Sequence, residues 1–299
     1  MQEIFPYLNW ILWLYKMASI SIILTTFNKV NSLERTLASL ENQNSFNFEL
    51  NILDDGSSDE TLTFCKKYVF LSSLPCRYIR VEKEGNNVAL LRNVGAHISG
   101  GKFLVFLDDD IVVRPEFIEQ YLSHFQENPD NIYLGKLLYI NTKEASMVTP
   151  DDIKNRNFML LENGLFSRFD PRVDTLKELP DYYKVWSGNL GIMKKTFCSI
   201  NGFDEDFRFW GGKDLDLGYR LKRAGYKLIL LNDCEGYHMG ANFLPFSEIQ
   251  NQIGVRLFED YKINDPTIIR NTKVKKEGNF PVTIIYDGSK FQTDLLGEQ

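Results

Sequence analysis

The sequence predicts an α/β fold: a mostly parallel sheet flanked by helices on both faces. Three observations carry this expectation. Strand-like runs recur at Ser19–Thr25, Phe48–Leu53, Arg77–Val81 and Lys102–Leu107, with the first and last strongly apolar. Segments of helical periodicity separate them. Acidic residues cluster directly behind the second and fourth runs.

Ser19–Thr25 is a continuous apolar run, as a strand buried on both faces should be. Asn31 or Ser32 can cap a helix to about Gln43, with Leu33, Leu37 and Leu40 on one face. After the strand Phe48–Leu53, Ser58 or Asp59 opens a helix through about Tyr68. Arg77–Val81 is a short strand. Asn87 to Ile98 reads as a helix stopped by Gly100-Gly101. The fourth strand, Lys102–Leu107, is followed by a helix with Pro115 at its first position, running to about Gln126. This alternation implies parallel neighbours joined by right-handed crossovers. Ligands of such sheets bind at the carboxyl ends of the strands. The Thr26–Asn28 loop, Asp54–Asp59 and Asp108–Asp110 therefore share one rim.

The second half is less regular. Ile132–Ile140 reads as a strand, residues 141–185 as loops and short helices, and Tyr183–Met193 as strand-like. A helix from Asp214 to Ala224 ends at Gly225, and Tyr226–Leu231 forms a strand. Residues 249–262 look helical, and Val282–Tyr286 can form a strand.

Composition narrows the function. Among 299 residues, 34 Lys and Arg face 40 Asp and Glu, a net charge of -6. That balance argues against nucleic acid as a partner, which needs a basic face. The four cysteines form no CxxC pair, so reduced thiols are expected. Residues 1–16 are rich in aromatics, but the apolar run Trp10–Tyr15 is too short to span a bilayer. No basic region precedes it and no small-residue cleavage site follows. A cytoplasmic location is expected, with peripheral membrane contact through residues 1–16 left open.

Four constellations carry chemistry. In Asp108-Asp109-Asp110, residues i and i+2 of an extended chain point the same way. Asp108 and Asp110 can thus offer two carboxylates to a hard cation, Mn2+ or Mg2+. An acidic turn is the competing reading. Asp54-Asp55-Gly56-Ser57-Ser58-Asp59 can accept hydrogen bonds from a base or ribose, or can simply cap the next helix. In Trp210-Gly211-Gly212-Lys213-Asp214, two glycines allow close backbone approach and the indole suits the C–H face of a sugar. Asp214, at a helix start, stays ionised and suits a general base, or serves as a cap. His238 is one of only three histidines, and imidazole added to carboxylates favours Mn2+. His97 and His124 fit ordinary helix positions.

In this order, the motifs resemble an inverting family 2 glycosyltransferase with the GT-A fold, a Rossmann-like sheet architecture. The first half matches through Ser21–Asn28, Leu53–Asp59 and Leu91–Asp110. The second half resembles the catalytic segment of galactosyltransferases and polypeptide N-acetylgalactosaminyltransferases. It does so through Trp186–Leu190, Asn201–Phe207, Trp210–Arg220 and His238. The resemblance implies a catalytic domain over residues 19–240, with a nucleotide-binding half (19–130) and an acceptor half (131–240). Residues 1–18 and 241–299 become extensions.

The resemblance also implies roles. Thr25, Asn28, Asp55, Arg92, Asp108 and Asp109 would bind the nucleotide-sugar donor, with UDP the expected nucleotide. Asp108, Asp110 and His238 would hold the metal. Asp214 would be the catalytic base, and Trp186, Asn189, Trp210, Gly211, Gly212 and Lys213 would line the sugar and acceptor site. The acceptor would be a hydroxyl of a glycan, peptide, lipid or small molecule.

One departure stands out. The family usually has Glu-Asp where this chain has Lys213-Asp214. Lysine supplies donors only. It implies an altered donor or acceptor, or reduced activity. A retaining transferase and a non-catalytic nucleotide-sugar-binding protein are the alternatives. A nucleotidyltransferase would need a basic first loop, which here holds only Lys29. Eleven of the 40 acids are Asp54, Asp55, Asp59, Asp108-Asp109-Asp110, Asp204-Glu205-Asp206, Asp214 and Asp216, so the negative charge is partly concentrated where a cation would bridge protein and donor.

Overall fold

The computed structural model describes residues 18–81, 87–158, 170, 172, 181–207 and 212–240, and the backbone of 282–287. The first half runs β1 (Ile20–Thr26), α1 (Val30–Glu41), β2 (Phe48–Asp54), α2 (Thr61–Leu71), β3 (Cys76–Val81), α3 (Val88–Ile98) and β4 (Phe103–Asp108). Then come β5 (Ile111–Val113), α4 (Phe117–Glu127), β6 (Ile132–Ile140), α5 (Thr142–Ala145) and α6 (Pro150–Lys154). A 3-10 turn (Asp181–Lys184), β7 (Asn189–Met193), α7 (Lys194–Ser199), α8 (Lys213–Arg223), β8 (Leu228–Met239) and β9 (Val282–Asp287) complete it.

The strands form one sheet in the order β5-β8-β6-β7-β4-β1-β2-β3-β9. The expected parallel unit is its centre: β3, β2, β1 and β4 are parallel neighbours. Antiparallel pairing enters on both sides, through β7 against β4 and β9 against β3. Alternate residues of β1 feed opposite cores. Ile20, Ile22 and Leu24 pack with Leu33, Leu37 and Leu40 of α1 and with α2 and α4. Ile23 packs on the other face with Ala89, Leu91 and Ala96 of α3 and Leu217 and Leu221 of α8.

Several boundaries differ from expectation, each for a non-local reason. The helix α1 starts at Val30 with no side-chain cap of its own. Its first N–H is instead met by Asp59 from the neighbouring loop, at 3.2 Å. Asp59 also accepts from Thr61 N, so it serves two helix starts. Pro115 lies before α4 rather than at its first position, and its carbonyl accepts from Asn44 N. Only Asn189–Met193 of the segment from Tyr183 is strand. The strand β8 extends to Met239, with a bulge in its pairing to β6 between Gly135 and Leu137. The segment 249–262 lies outside the described residues. No disulfide links the four cysteines.

Register brings the loop-bearing strand ends together. Thr25 stands beside Leu53 and Asp108, and Thr26 beside Asp54. Asp54 itself is spent on structure. It is fully buried and accepts from Ser57 N, Ser57 Oγ, Arg80 and the Tyr78 hydroxyl, the last at 2.5 Å. Removing that hydroxyl in Tyr78→Phe should cost about 1.5–3 kcal/mol, the range for a hydrogen bond to a charged group. The check is a lower urea midpoint with an unchanged slope.

Candidate active site

Three loops meet at this rim. Asn28 has a positive φ of 52° and joins two of them. Its side-chain oxygen accepts from Ser58 N at 2.7 Å, and its own N–H donates to Ser57 Oγ at 2.9 Å. Asp55, nearly buried, accepts from Asn87 N and Asn87 Nδ2. Thr25 lies at the end of β1, 8% exposed.

The triple aspartate is divided by environment. The strand β4 ends at Asp108, and residues 109 and 110 form a turn rather than a continued strand. Asp108 and Asp110 still converge. Asp109 points elsewhere and accepts from Thr26 Oγ1 at 2.8 Å. Lys29 lies between the last two carboxylates, 2.7 Å from Asp110 and 3.6 Å from Asp109. Burial and the charge of Asp110 push Asp109 up to about 7. Burial also opposes the charge on Asp110, but His238 and Lys29 outweigh it and hold that carboxyl below its usual range.

His238 arrives from β8, which β5 pairs across Ile111. It therefore lies within the strand, not beyond its end. Its ring stacks on Tyr139 at 5.0 Å, and Nε2 lies 3.5 Å from Asp110 Oδ1. Asp110 Oδ1 and His238 Nδ1 are both buried without a hydrogen-bond partner. Ligating atoms of Asp108, Asp110 and His238 fall within 4.8 Å of one another. A hard cation with bonds of about 2.1 Å puts adjacent ligand atoms ~3.0 Å apart and opposite ones ~4.2 Å. The donor set and the unpartnered Asp110 Oδ1 fit such an ion. A second grouping, His124, Asp233 and Cys234, fits less well. His124 Nε2 already contacts both Asp233 oxygens, and burial holds the Cys234 thiol protonated.

Asp214 comes from the first turn of α8. Gly212, at φ +80°, forms the N-cap, so Asp214 is not itself the cap. Arg92 of α3, only 3% exposed, ties the two ends of the site together. Its Nη2 donates to Asp108 Oδ1 at 2.7 Å and its Nη1 to Ser187 Oγ at 2.5 Å. Nη1 also lies 3.6 Å from Asp214 Oδ1. The Ser187 hydroxyl donates in turn to Asp214 Oδ1. Gly188 allows close approach: a Cβ there would sit 2.8 Å from Asp108 Oδ2, so that carboxylate would have to shift.

The expectation for Asn189 is corrected. It is fully buried, accepts from the Tyr121 hydroxyl at 2.8 Å and donates to Cys234 O at 2.9 Å. No polar atom reaches the rim, so it anchors β7 rather than touching sugar. Trp186 is engaged from two sides, by the Arg172 guanidinium at 5.3 Å and the edge of Tyr139. Trp210 and Gly211 lie outside the described residues. Sequence reasoning missed Ser187, although it lies in the Trp186–Leu190 motif. It also gave no role to Lys29, the lone cation of the first loop.

The class follows from this frame. The chain belongs to glycosyl transferase family 2, whose family model matches residues 21–188, more than half of it. A second model, the N-terminal domain of galactosyltransferase, matches residues 168–240. The chain is 29% identical to chondroitin synthase of Pasteurella multocida (strain Pm70), over 75% of its length and 25% of that protein. It is 30% identical to hyaluronan synthase of Pasteurella multocida, over 73% of its length and 24% of that protein. It thus spans about a quarter of these two relatives. Among solved structures, S. aureus TarS 1-349 in complex with UDP-GlcNAc superposes with a TM-score of 0.52 at 18% identity. That match covers 78% of this chain and 64% of the other, and the shared fold is GT-A. No helix among the described residues is long and apolar enough to cross a membrane.

Proposed function

We propose that the protein transfers a sugar from a nucleotide-sugar, with UDP the expected nucleotide, to a hydroxyl acceptor with inversion. The single observation supporting this reading is the bridge Asp108–Arg92–Ser187–Asp214, which links a group that could hold a cation to a candidate base. Family membership and the UDP-GlcNAc held by the TarS neighbour support the donor class.

Asp108, Asp110 and His238 would hold Mn2+ or Mg2+. When bound, such an ion supplies charge neutralisation for a diphosphate leaving group. Lys29 keeps Asp110 ionised and ready to ligate. Asp55 and the Asn28 loop shape the nucleotide end. Asp214 takes the proton of the acceptor hydroxyl as that oxygen attacks the anomeric carbon from the face opposite the diphosphate. Ser187 fixes the carboxylate by occupying Oδ1, leaving Oδ2 for the acceptor. One base and one displacement give inversion.

The test is a donor screen with purified protein and Mn2+, reading free nucleoside diphosphate. Turnover of a UDP-sugar that depends on an acceptor supports the reading; its absence across donors counts against it. Ser187 supplies a finer check as a positioning residue. Ser187→Ala should lower kcat by about 10–100-fold, the scale of a small misplacement, with donor KM unmoved. Ser187→Thr should restore most of it.

A further inference from the structure

A ligating imidazole is usually oriented through its second nitrogen, which donates to a carboxylate, a carbonyl or water. His238 departs from that pattern. Its Nε2 faces Asp110 Oδ1 at 3.5 Å, while Nδ1 is buried with no hydrogen-bond partner among the described residues. Its neighbours in the sheet are Ile111 of β5 and Tyr139 of β6. Ile111 offers only an aliphatic chain. Tyr139 lays its ring flat on the imidazole, with centroids 5.0 Å apart and planes inclined by 10°.

The Tyr139 ring is itself held. Trp186 meets it nearly edge-on, at 6.3 Å and 86°. The Arg172 guanidinium lies over the indole at 5.3 Å. The Arg172 side chain is completely buried and cannot shed its charge, so it needs partners. Asp170 supplies one at 2.8 Å, and Gly135 O another at 2.6 Å. Asp170 also accepts from Leu137 N at 3.0 Å. Gly135 and Leu137 flank the point where β6 shifts register against β8. The buried pair thus satisfies backbone groups on both sides of the shift. Beyond it, the register sets Tyr139 beside His238.

Resting on the proposed cation group, we infer that Tyr139 is a positioning residue for the reaction. Its stacked ring, rather than a hydrogen bond to Nδ1, fixes the imidazole plane so that Nε2 faces the cation. Trp186, Arg172 and Asp170 keep that ring in place. The contact is made ring to ring, so the Tyr139 hydroxyl is dispensable for it.

Two measurements on the full chain test this. In the metal-free protein, NMR should show the His238 ring protons displaced upfield by the facing ring, with through-space contacts between the two rings. Tyr139→Phe should keep that displacement and Tyr139→Leu should abolish it. Calorimetry with Mn2+ reads the consequence. Tyr139→Phe should keep the affinity within about twofold, and Tyr139→Leu should weaken it about 10-fold, the lower range for a partner outside the ligand shell. Undisplaced His238 protons in the unaltered protein, full Mn2+ affinity in Tyr139→Leu, or a Tyr139→Phe variant as weak as Tyr139→Leu would overturn the inference. His238→Ala separates that failure from failure of the cation group. If it leaves Mn2+ affinity intact, the group and the inference fall together. If it weakens binding while Tyr139→Leu does not, the inference alone falls.

Discussion

Asp214→Asn is expected to lower turnover by about 10²–10⁴-fold, the usual worth of a positioned general base. The amide keeps the shape of the carboxylate but cannot take a proton at neutral pH. Two features make the variant diagnostic. Asp214 lies outside the proposed cation group, so affinity for Mn2+ and UDP should persist. The helix α8 is anchored independently, by Arg220 bonding Asp216 and the carbonyls of Ile200 and Gly202. A folded, ligand-binding and inactive protein is therefore the expected outcome. Undiminished turnover would remove Asp214 from the chemistry. Loss of UDP binding would instead assign it to the donor pocket.

Asp110→Asn should be comparably severe through the opposite end of the site. It removes one ligating oxygen and leaves Lys29 beside a neutral amide. Loss of several kcal/mol of leaving-group stabilisation corresponds to about 10³-fold or more in turnover. The expected signature is a cation affinity at least ~100-fold weaker. Raising Mn2+ should recover part of the activity, which it should not do for Asp214→Asn. The other histidine–carboxylate grouping provides the control. His124→Ala, which breaks the contact to Asp233, should leave the Mn2+ requirement as it was. If His124→Ala abolishes the requirement and Asp110→Asn does not, the cation belongs at the wrong end of the molecule for this chemistry.

The parallel core and its rim were legible because a strand buried on both faces has a plain apolar signature. The triple aspartate behind β4 and the acids behind β2 then fall on one edge by topology alone. Helix starts were less legible, because their partners come from other loops. Asp59 satisfies Val30 across 29 positions, and nothing near Val30 signals that. The strands beyond β4 were obscured because β7 is short and β8 bulges in its parallel pairing with β6. Within the site, residue type was readable but connectivity was not. Arg92 reads as one cation of a helix, and Ser187 as one small residue of a motif. Only folding shows them as the link between Asp108 and Asp214. Asn189 misled for the converse reason. Its amide looks available in sequence, yet β-strand geometry turns it inward to Tyr121 and Cys234.

The most direct test of a single displacement driven by Asp214 is the anomeric configuration of the product. A nucleotide-sugar of α configuration is supplied with Mn2+ and a competent acceptor, and the anomeric proton is read by NMR before any equilibration. A β-linked product, formed only with Asp214 intact, is the expected result. An α-linked product would contradict direct displacement and turn the same site into that of a retaining enzyme.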